Sequence, residues 1–187
     1  MPHTYDVIVI GAGPAGENAA DYARQRGLSV AVVESELVGG ECSYWACMPS
    51  TALLRPTEVL AQVRRVPAAE AAVTGEVDVD AVLRSRDAFT SAWEDDGQAQ
   101  WLDSVDVELL RGHGRLAGER VVEVTAPDGT VTHHEATRGV VIGVGSRAAV
   151  PPIEGLAEAA TWDNRDVTAI KEIPDRLLVL GGGVVGV

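Results

Sequence analysis

Apolar and polar positions along the chain alternate between β-like runs and helical spacing. Residues 5–10 set one charge, Asp6, among β-branched and apolar side chains, which predicts a strand buried on both faces of a parallel sheet. A glycine-rich turn follows, then residues 15–26, good helix formers that end at Gly27, where a left-handed helix terminus is expected. Residues 29–34 repeat the β-branched run. The opening therefore reads strand, helix, strand. Between residues 55 and 66, Val59, Leu60 and Val63 fall at helical spacing, with Pro56 starting or kinking that helix. Residues 78–101 predict one or two amphipathic helices that turn Val82, Phe89 and Trp93 to the core, with residues 94–97 as a solvated acidic break. Residues 107–111 read as a third strand of the sheet. Residues 121–125 and 130–135 flank the turn 126–129 as a hairpin, which predicts a small antiparallel meander. Residues 140–144 return to a buried strand, and residues 176–180 read as the first strand of a second unit. The class is α/β.

The chain has 187 residues, room for one full-sized domain and a piece of another. With 46% apolar and 23% charged residues, disorder and low complexity are excluded. Acidic residues outnumber basic ones 28 to 15, for a net charge of -13, which argues against nucleic acid and anionic membrane surfaces as partners. No apolar stretch reaches the ~20 residues of a membrane-spanning helix. The start lacks a positive flank and a cleavage site, so the expected location is cytoplasmic. Only two cysteines occur, Cys42 and Cys47, five apart. Such a pair makes no disulfide scaffold, and in a reducing compartment it points to chemistry.

Gly11, Gly13 and Gly16, with Pro14 and Ala15 between the last two, form G-x-G-x-x-G between strand and helix. The first glycine permits the tight turn, the second lets backbone approach a pyrophosphate, and the third allows close helix-strand packing. The helix N-terminus then faces the phosphates. Glu34, with Ser35 after it, stands 18 residues past Gly16 at the end of the second strand, where a carboxylate accepts ribose hydroxyls. The unit does not separate FAD from NAD(P), and a glycine turn without ligand is the bland alternative. Glu34 disfavours a 2'-phosphate by charge.

Cys42 and Cys47 lie between Gly39-Gly40 and Pro49, so bends are available at both ends. In a regular helix, residues five apart lie more than about 8 Å apart, beyond the ~7 Å limit for a disulfide, so a bonded pair requires distortion. So short a loop stabilises by only roughly 2 kcal/mol. A structural disulfide, two idle thiols or half of a metal site are the competing readings. The four histidines add no ligands at suitable spacing, and no metal is expected.

The stretch Gly39-Gly40-Glu41-Cys42 through Cys47-Met48-Pro49-Ser50 resembles the G-G-x-C-x-x-x-x-C-[IM]-P-S signature of the class I pyridine nucleotide-disulfide oxidoreductases, the family of dihydrolipoamide dehydrogenase, glutathione reductase and mercuric reductase. The resemblance implies a Rossmann-like FAD-binding domain with a parallel sheet and an antiparallel meander. It also implies that Cys47 lies against the isoalloxazine, that Cys42 exchanges with substrate, and that Gly40, Glu41 and Thr51 belong to the flavin site. Thr51 departs from the family, which carries lysine there; a hydroxyl supplies no ammonium field. Tyr44 and Trp45 are bulkier than usual, as ordinary packing or as a narrower approach to Cys42. By the same resemblance, Gly114 holds the adenine edge, and Gly145 and Ser146 approach the flavin phosphates, although Gly143-Val144 replace Ala-Thr. Gly181, Gly183 and Gly186 open an NAD(P)-binding motif.

The implied organisation is a first segment of the FAD domain over 1–150, a connector over 151–175 and the start of an NAD(P) domain over 176–187, with the chain expected to be truncated. The implied activity runs from NAD(P)H through FAD to a Cys42-Cys47 disulfide and on to a small-molecule or thiol/disulfide substrate, in a full-length homodimer. The isolated segment is expected to be inactive. A nucleotide-binding module without catalysis, or a flavin reductase that bypasses the disulfide, are the alternatives.

Overall fold

A computed structural model describes residues 3–186. Strand β1 (His3–Ile10) leads through the glycine turn into helix α1 (Pro14–Gln25) and strand β2 (Val30–Glu34). Helices α2 (Gly40–Tyr44), α3 (Cys47–Val63), α4 (Pro67–Glu70), α5 (Val79–Phe89) and α6 (Asp96–Ser104) follow. Next come strands β3 (Glu108–Arg111), β4 (His113–Gly118), β5 (Val121–Thr125) and β6 (Val131–Ile142), and a short helix α7 (Asn164–Thr168). One sheet takes all six strands in the order β3-β2-β1-β6-β5-β4.

The contacts divide the chain into two units, one of residues up to Tyr44 with Ser91–Ser146, the other of Trp45–Thr90 with residues from Arg147 onward.

In the first unit, β3, β2, β1 and β6 run parallel, and β5 and β4 extend the edge antiparallel. The long β6 joins the two parts: Val131 to Glu135 pair with β5, and His134 to Ile142 pair with β1. Side chains alternate between the faces at period two. Ile8, Ile10, Ala31 and Val33 join Val122 and Val124 on one face; Val9, Val30 and Val32 join Ala20, Leu102 and Val107 on the other. Both faces are buried, so residues 5–10 and 29–34 show no polar alternation. Each buried Val or Ile contributes roughly 1.5–3 kcal/mol.

Helix α1 ends as the sequence pattern suggests. Gly27 has φ +76 and donates to the Arg24 carbonyl at 2.8 Å. Arg24 donates to the Leu28 and Val105 carbonyls and pairs with Asp106, tying this end of α1 to the turn before β3.

In the second unit, α3 packs on α5 and touches α7. Helix α3 begins at Cys47, well ahead of Pro56, which lies inside it. The core face expected for α5 is not the one observed. Phe89 is 52% exposed while Arg86 and Thr90 are buried, because Arg86 donates to the carbonyls of Thr168 and Ile170. Residues 176–180 pair with no strand among the described residues, and Leu178 is 93% exposed. A single extended run with no partner strand has nothing to bond its amides and carbonyls.

Candidate functional site

The glycine turn is fixed by backbone contacts that leave no room for side chains at two of its three glycines. Gly11 has φ +97, and a Cβ on it would stand 2.4 Å from the Gly143 carbonyl oxygen. A Cβ on Gly16 would stand 1.8 Å from the Gly11 oxygen. Both glycines are thus required by the protein itself. Gly13 is not: a Cβ there would meet only the Gly40 Cα, at 3.9 Å. Gly13 also caps α1 without a side-chain hydrogen bond, and Pro14 at the first helical turn has no amide to satisfy. The first-turn amides therefore have no side-chain cap, and a helix start of this kind favours an anion.

Glu34 closes the other side of the turn. Its Oε2 accepts the Ala12 amide and its Oε1 the Glu36 amide, each at 2.7 Å. Each oxygen keeps a lone pair for a further donor. Ser35 beside it is exposed. Burial pushes the Glu17 carboxyl up from its usual range, favouring a neutral side chain in the first turn of α1.

Helix α2, which carries Glu41 and Cys42, is seated on the glycine turn. Gly39 donates to the Ala12 carbonyl at 2.7 Å. Gly40 has φ +55, and a Cβ on it would stand 2.8 Å from the Gly13 Cα. Tyr44 at the end of α2 is buried. Its hydroxyl donates to the Glu94 carbonyl and its own carbonyl accepts from the Trp93 indole. Burial, then the charges of Asp95 and Glu17, push this phenol up to about 12. Tyr44 is therefore a packing residue.

Asp95 departs from the solvated acidic break read in the sequence. It is buried, accepts the Val38 amide at 2.7 Å and pairs with Arg111 at 2.7 Å. Arg111 also donates to the Glu36 carbonyl. The pair fixes the loop that runs from Glu34 to α2, and only residues distant in sequence reveal it.

Gly143 donates to the Ile10 carbonyl at 2.7 Å, which brings the end of β6 beside the turn. Gly145 has φ +68 with no atom near its Cβ position, and Ser146 is exposed. Gly114 has a packing reason of its own, since a Cβ there would crowd Val33 and Ile10 at 3.0 and 3.1 Å.

Cys42 is half-buried and Cys47 exposed. Cys42 belongs to the first unit and Cys47 to the second. Cys47 is the first residue of α3, and its carbonyl accepts the Ser50 hydroxyl at 3.3 Å. Thr51 is exposed one turn further on. With Pro56, Val59, Val82 and Phe89 it lines an apolar groove of about 530 Å³ within the second unit. Gly181, Gly183 and Gly186 are exposed, and Gly181 has φ +117. Among the described residues no three His, Cys, Asp or Glu gather to hold a metal, and no helix is long and apolar enough to cross a membrane.

Comparison with known proteins gives a consistent result. The family model described as pyridine nucleotide-disulphide oxidoreductase matches residues 5–187. A dihydrolipoyl dehydrogenase of Chlorobaculum tepidum is 36% identical over 98% of this chain and 39% of its own length. Dihydrolipoyl dehydrogenase 3 of Pseudomonas aeruginosa is 38% identical over 100% of this chain and 40% of its own. A mercuric reductase of Staphylococcus aureus is 29% identical over 97% and 32%. The fold matches the Cu(II) complex of the HOCl-induced flavoprotein disulfide reductase RclA of Escherichia coli, with a TM-score of 0.81 and 21% identity over 98% of this chain and 38% of that one. The chain thus spans about two fifths of the length of the dihydrolipoyl dehydrogenases just named.

Proposed function

The chain belongs to the pyridine nucleotide-disulphide oxidoreductase family, and from that premise we propose that it is the FAD-gripping, disulfide-bearing part of an oxidoreductase. When bound, FAD would couple the two electrons of a nicotinamide hydride to those of a dithiol-disulfide pair. The lack of a steric demand for glycine at Gly13, at a helix start without a side-chain cap, is the observation that carries this reading. The protein's own packing demands Gly11 and Gly16 but not Gly13, where glycine would let a pyrophosphate approach the backbone.

The residues would divide the work as follows. Amides from Gly13, Pro14's successor Ala15 and Gly16 would receive the pyrophosphate. Glu34, its oxygens already oriented by two backbone amides, would accept the ribose hydroxyls, with Ser35 at the rim. Gly40, Glu41, Gly145 and Ser146 would face the flavin half, with Thr51 near its ring and Gly114 toward the adenine. Cys47 would be the thiol beside the ring and Cys42 the thiol that exchanges with a small-molecule or thiol/disulfide substrate. NAD(P)H would enter through a domain opening at Gly181, Gly183 and Gly186, in a cytoplasmic homodimer.

Mixing the purified chain with FAD and removing unbound cofactor tests the cofactor assignment. We expect a yellow protein with a flavin spectrum, and at least about a tenfold loss of affinity in Glu34→Ala, since hydrogen bonds to a charged group contribute about 1.5–3 kcal/mol. A folded protein that stays colourless would refute it. The three activities differ in thiol yield: only a redox-active pair gains thiols on reduction, whereas a binding module or a flavin reductase that bypasses the disulfide gains none.

A further inference from the structure

The sequence alone leaves Trp45 undecided between ordinary packing and a barrier beside Cys42. Its surroundings in the second unit hold both its backbone and its ring. The Trp45 carbonyl accepts from the Asn164 side-chain amide at 3.2 Å, and the Thr168 hydroxyl stands 3.1 Å from the same oxygen. The Arg165 guanidinium lies over the Trp45 ring, 4.0 Å from its centre. One short helix, α7, thus holds both the backbone and the side chain of the residue two positions before Cys47.

Helix α7 is itself fastened at both ends. Asp163 caps its start in a reciprocal arrangement with Asp166. At its other end, fully buried Arg86 of α5 donates to the Thr168 and Ile170 carbonyls. A chain of bonds therefore runs from α5 through α7 to the Trp45–Ala46 peptide. Ala46 turns directly into α3, whose first residue is Cys47.

We propose that Asn164, Arg165 and Thr168 are positioning residues for Cys47, fixing the peptide before α3 so that the thiol is presented in one orientation. This rests on the reading of Cys47 as the thiol beside the flavin. The physical reason is preorganisation: a reactive group held by bonds outside its own helix loses less on reaching reactive geometry. The hydroxyl of Thr168 has one proton to give, and the Asn164 carbonyl also lies 2.8 Å from it. Asn164 and Thr168 therefore act as a pair, and the double variant is the informative one.

The test uses the whole chain loaded with FAD, oxidised and then given two electrons per flavin from dithionite. Two readouts are taken in the unaltered protein, in Asn164→Ala with Thr168→Val, and in Thr168→Ser. One is the long-wavelength thiolate-flavin absorbance; the other is amide hydrogen exchange at residues 45–48 without FAD. We expect FAD content to stay constant in all three. In the double variant the long-wavelength band falls at least fivefold and exchange at 45–48 rises about tenfold or more. In Thr168→Ser, which keeps the hydroxyl, both stay within twofold of the unaltered chain. A band undiminished in the double variant, with or without faster exchange, overturns the positioning role and leaves the function of Cys47 standing. Absence of the band from the unaltered protein overturns the role of Cys47 and this proposal with it. Should the double variant unfold, Arg165→Leu with Arg165→Lys as its rescue replaces it, and an equal band in both overturns the proposal.

Discussion

At the scale of single residues, the three glycines of the turn separate by what each one answers to. Gly11 and Gly16 answer to backbone atoms that a Cβ would strike, whereas a Cβ on Gly13 would make only an ordinary contact with Gly40. Gly16→Ala should therefore abolish folding, or cost several kcal/mol through backbone displacement. Gly13→Ala should cost about 1 kcal/mol as a poorer helix cap, yet lower FAD affinity at least about tenfold. Urea melts alongside FAD titration would check both. Equal loss of stability in the two variants would remove the distinction on which the cofactor site rests. Gly13 and Glu34 are legible in the sequence because the turn, helix and strand that frame them are local. Asp95 is not: its partners Val38 and Arg111 come from other parts of the chain, and an acidic run beside glycine ordinarily lies in solvent. Tyr44 is a packing residue by its burial and its bond to Glu94, which residue type alone does not reveal.

Among the elements, the parallel strands were the most readable, since burial on both faces removes polar alternation from β1 and β2. Helix α5 was the least. Its apolar positions Val82 and Phe89 suggest a core face, but the charged Arg86 takes the fully buried place because carbonyls at the end of α7 and just past it need a donor. Periodicity cannot register a partner more than eighty residues away. Arg86→Met should lower stability by about 3 kcal/mol, the usual cost of stranding buried polar partners, measured by chemical denaturation. A loss below about 1 kcal/mol would mean that those carbonyls find solvent. The segment Ser91–Trp93 is also invisible to periodicity: all three residues have positive φ, a conformation disfavoured without glycine. Ala92→Gly should therefore leave stability unchanged or raise it by up to about 1 kcal/mol, since glycine carries no Cβ penalty there. A clear destabilisation in the same melts would show that the Ala92 side chain carries packing of its own.

For the molecule as a whole, two groups in the first unit contribute to how stability responds to acid. Burial, followed by the nearby His3, holds His134 below the ordinary histidine range; His133 acts in the same direction and Glu108 opposes it. The unfolded chain therefore takes up a proton that the folded one resists, so stability is lost as pH falls below about 6.5. Asp6 behaves as a carboxylate held down to about 2, chiefly by the Ser29 amide and hydroxyl, then by Thr137 and Arg138. Its contribution is present above about pH 4 and is lost between pH 4 and 2. Denaturant melts across pH should show a shallower slope between pH 7 and 5 in His134→Leu and between pH 4 and 2 in Asp6→Asn. Unchanged slopes would place acid sensitivity elsewhere.

The two cysteines lie in separate contact units, so their joint chemistry is best read from electrons. The decisive measurement is a thiol count on the oxidised, FAD-loaded chain before and after two electrons per flavin from dithionite. We expect two new thiols per flavin, absent in both Cys42→Ser and Cys47→Ser. A flavin that takes the electrons while the thiol count stays constant would contradict a redox-active pair.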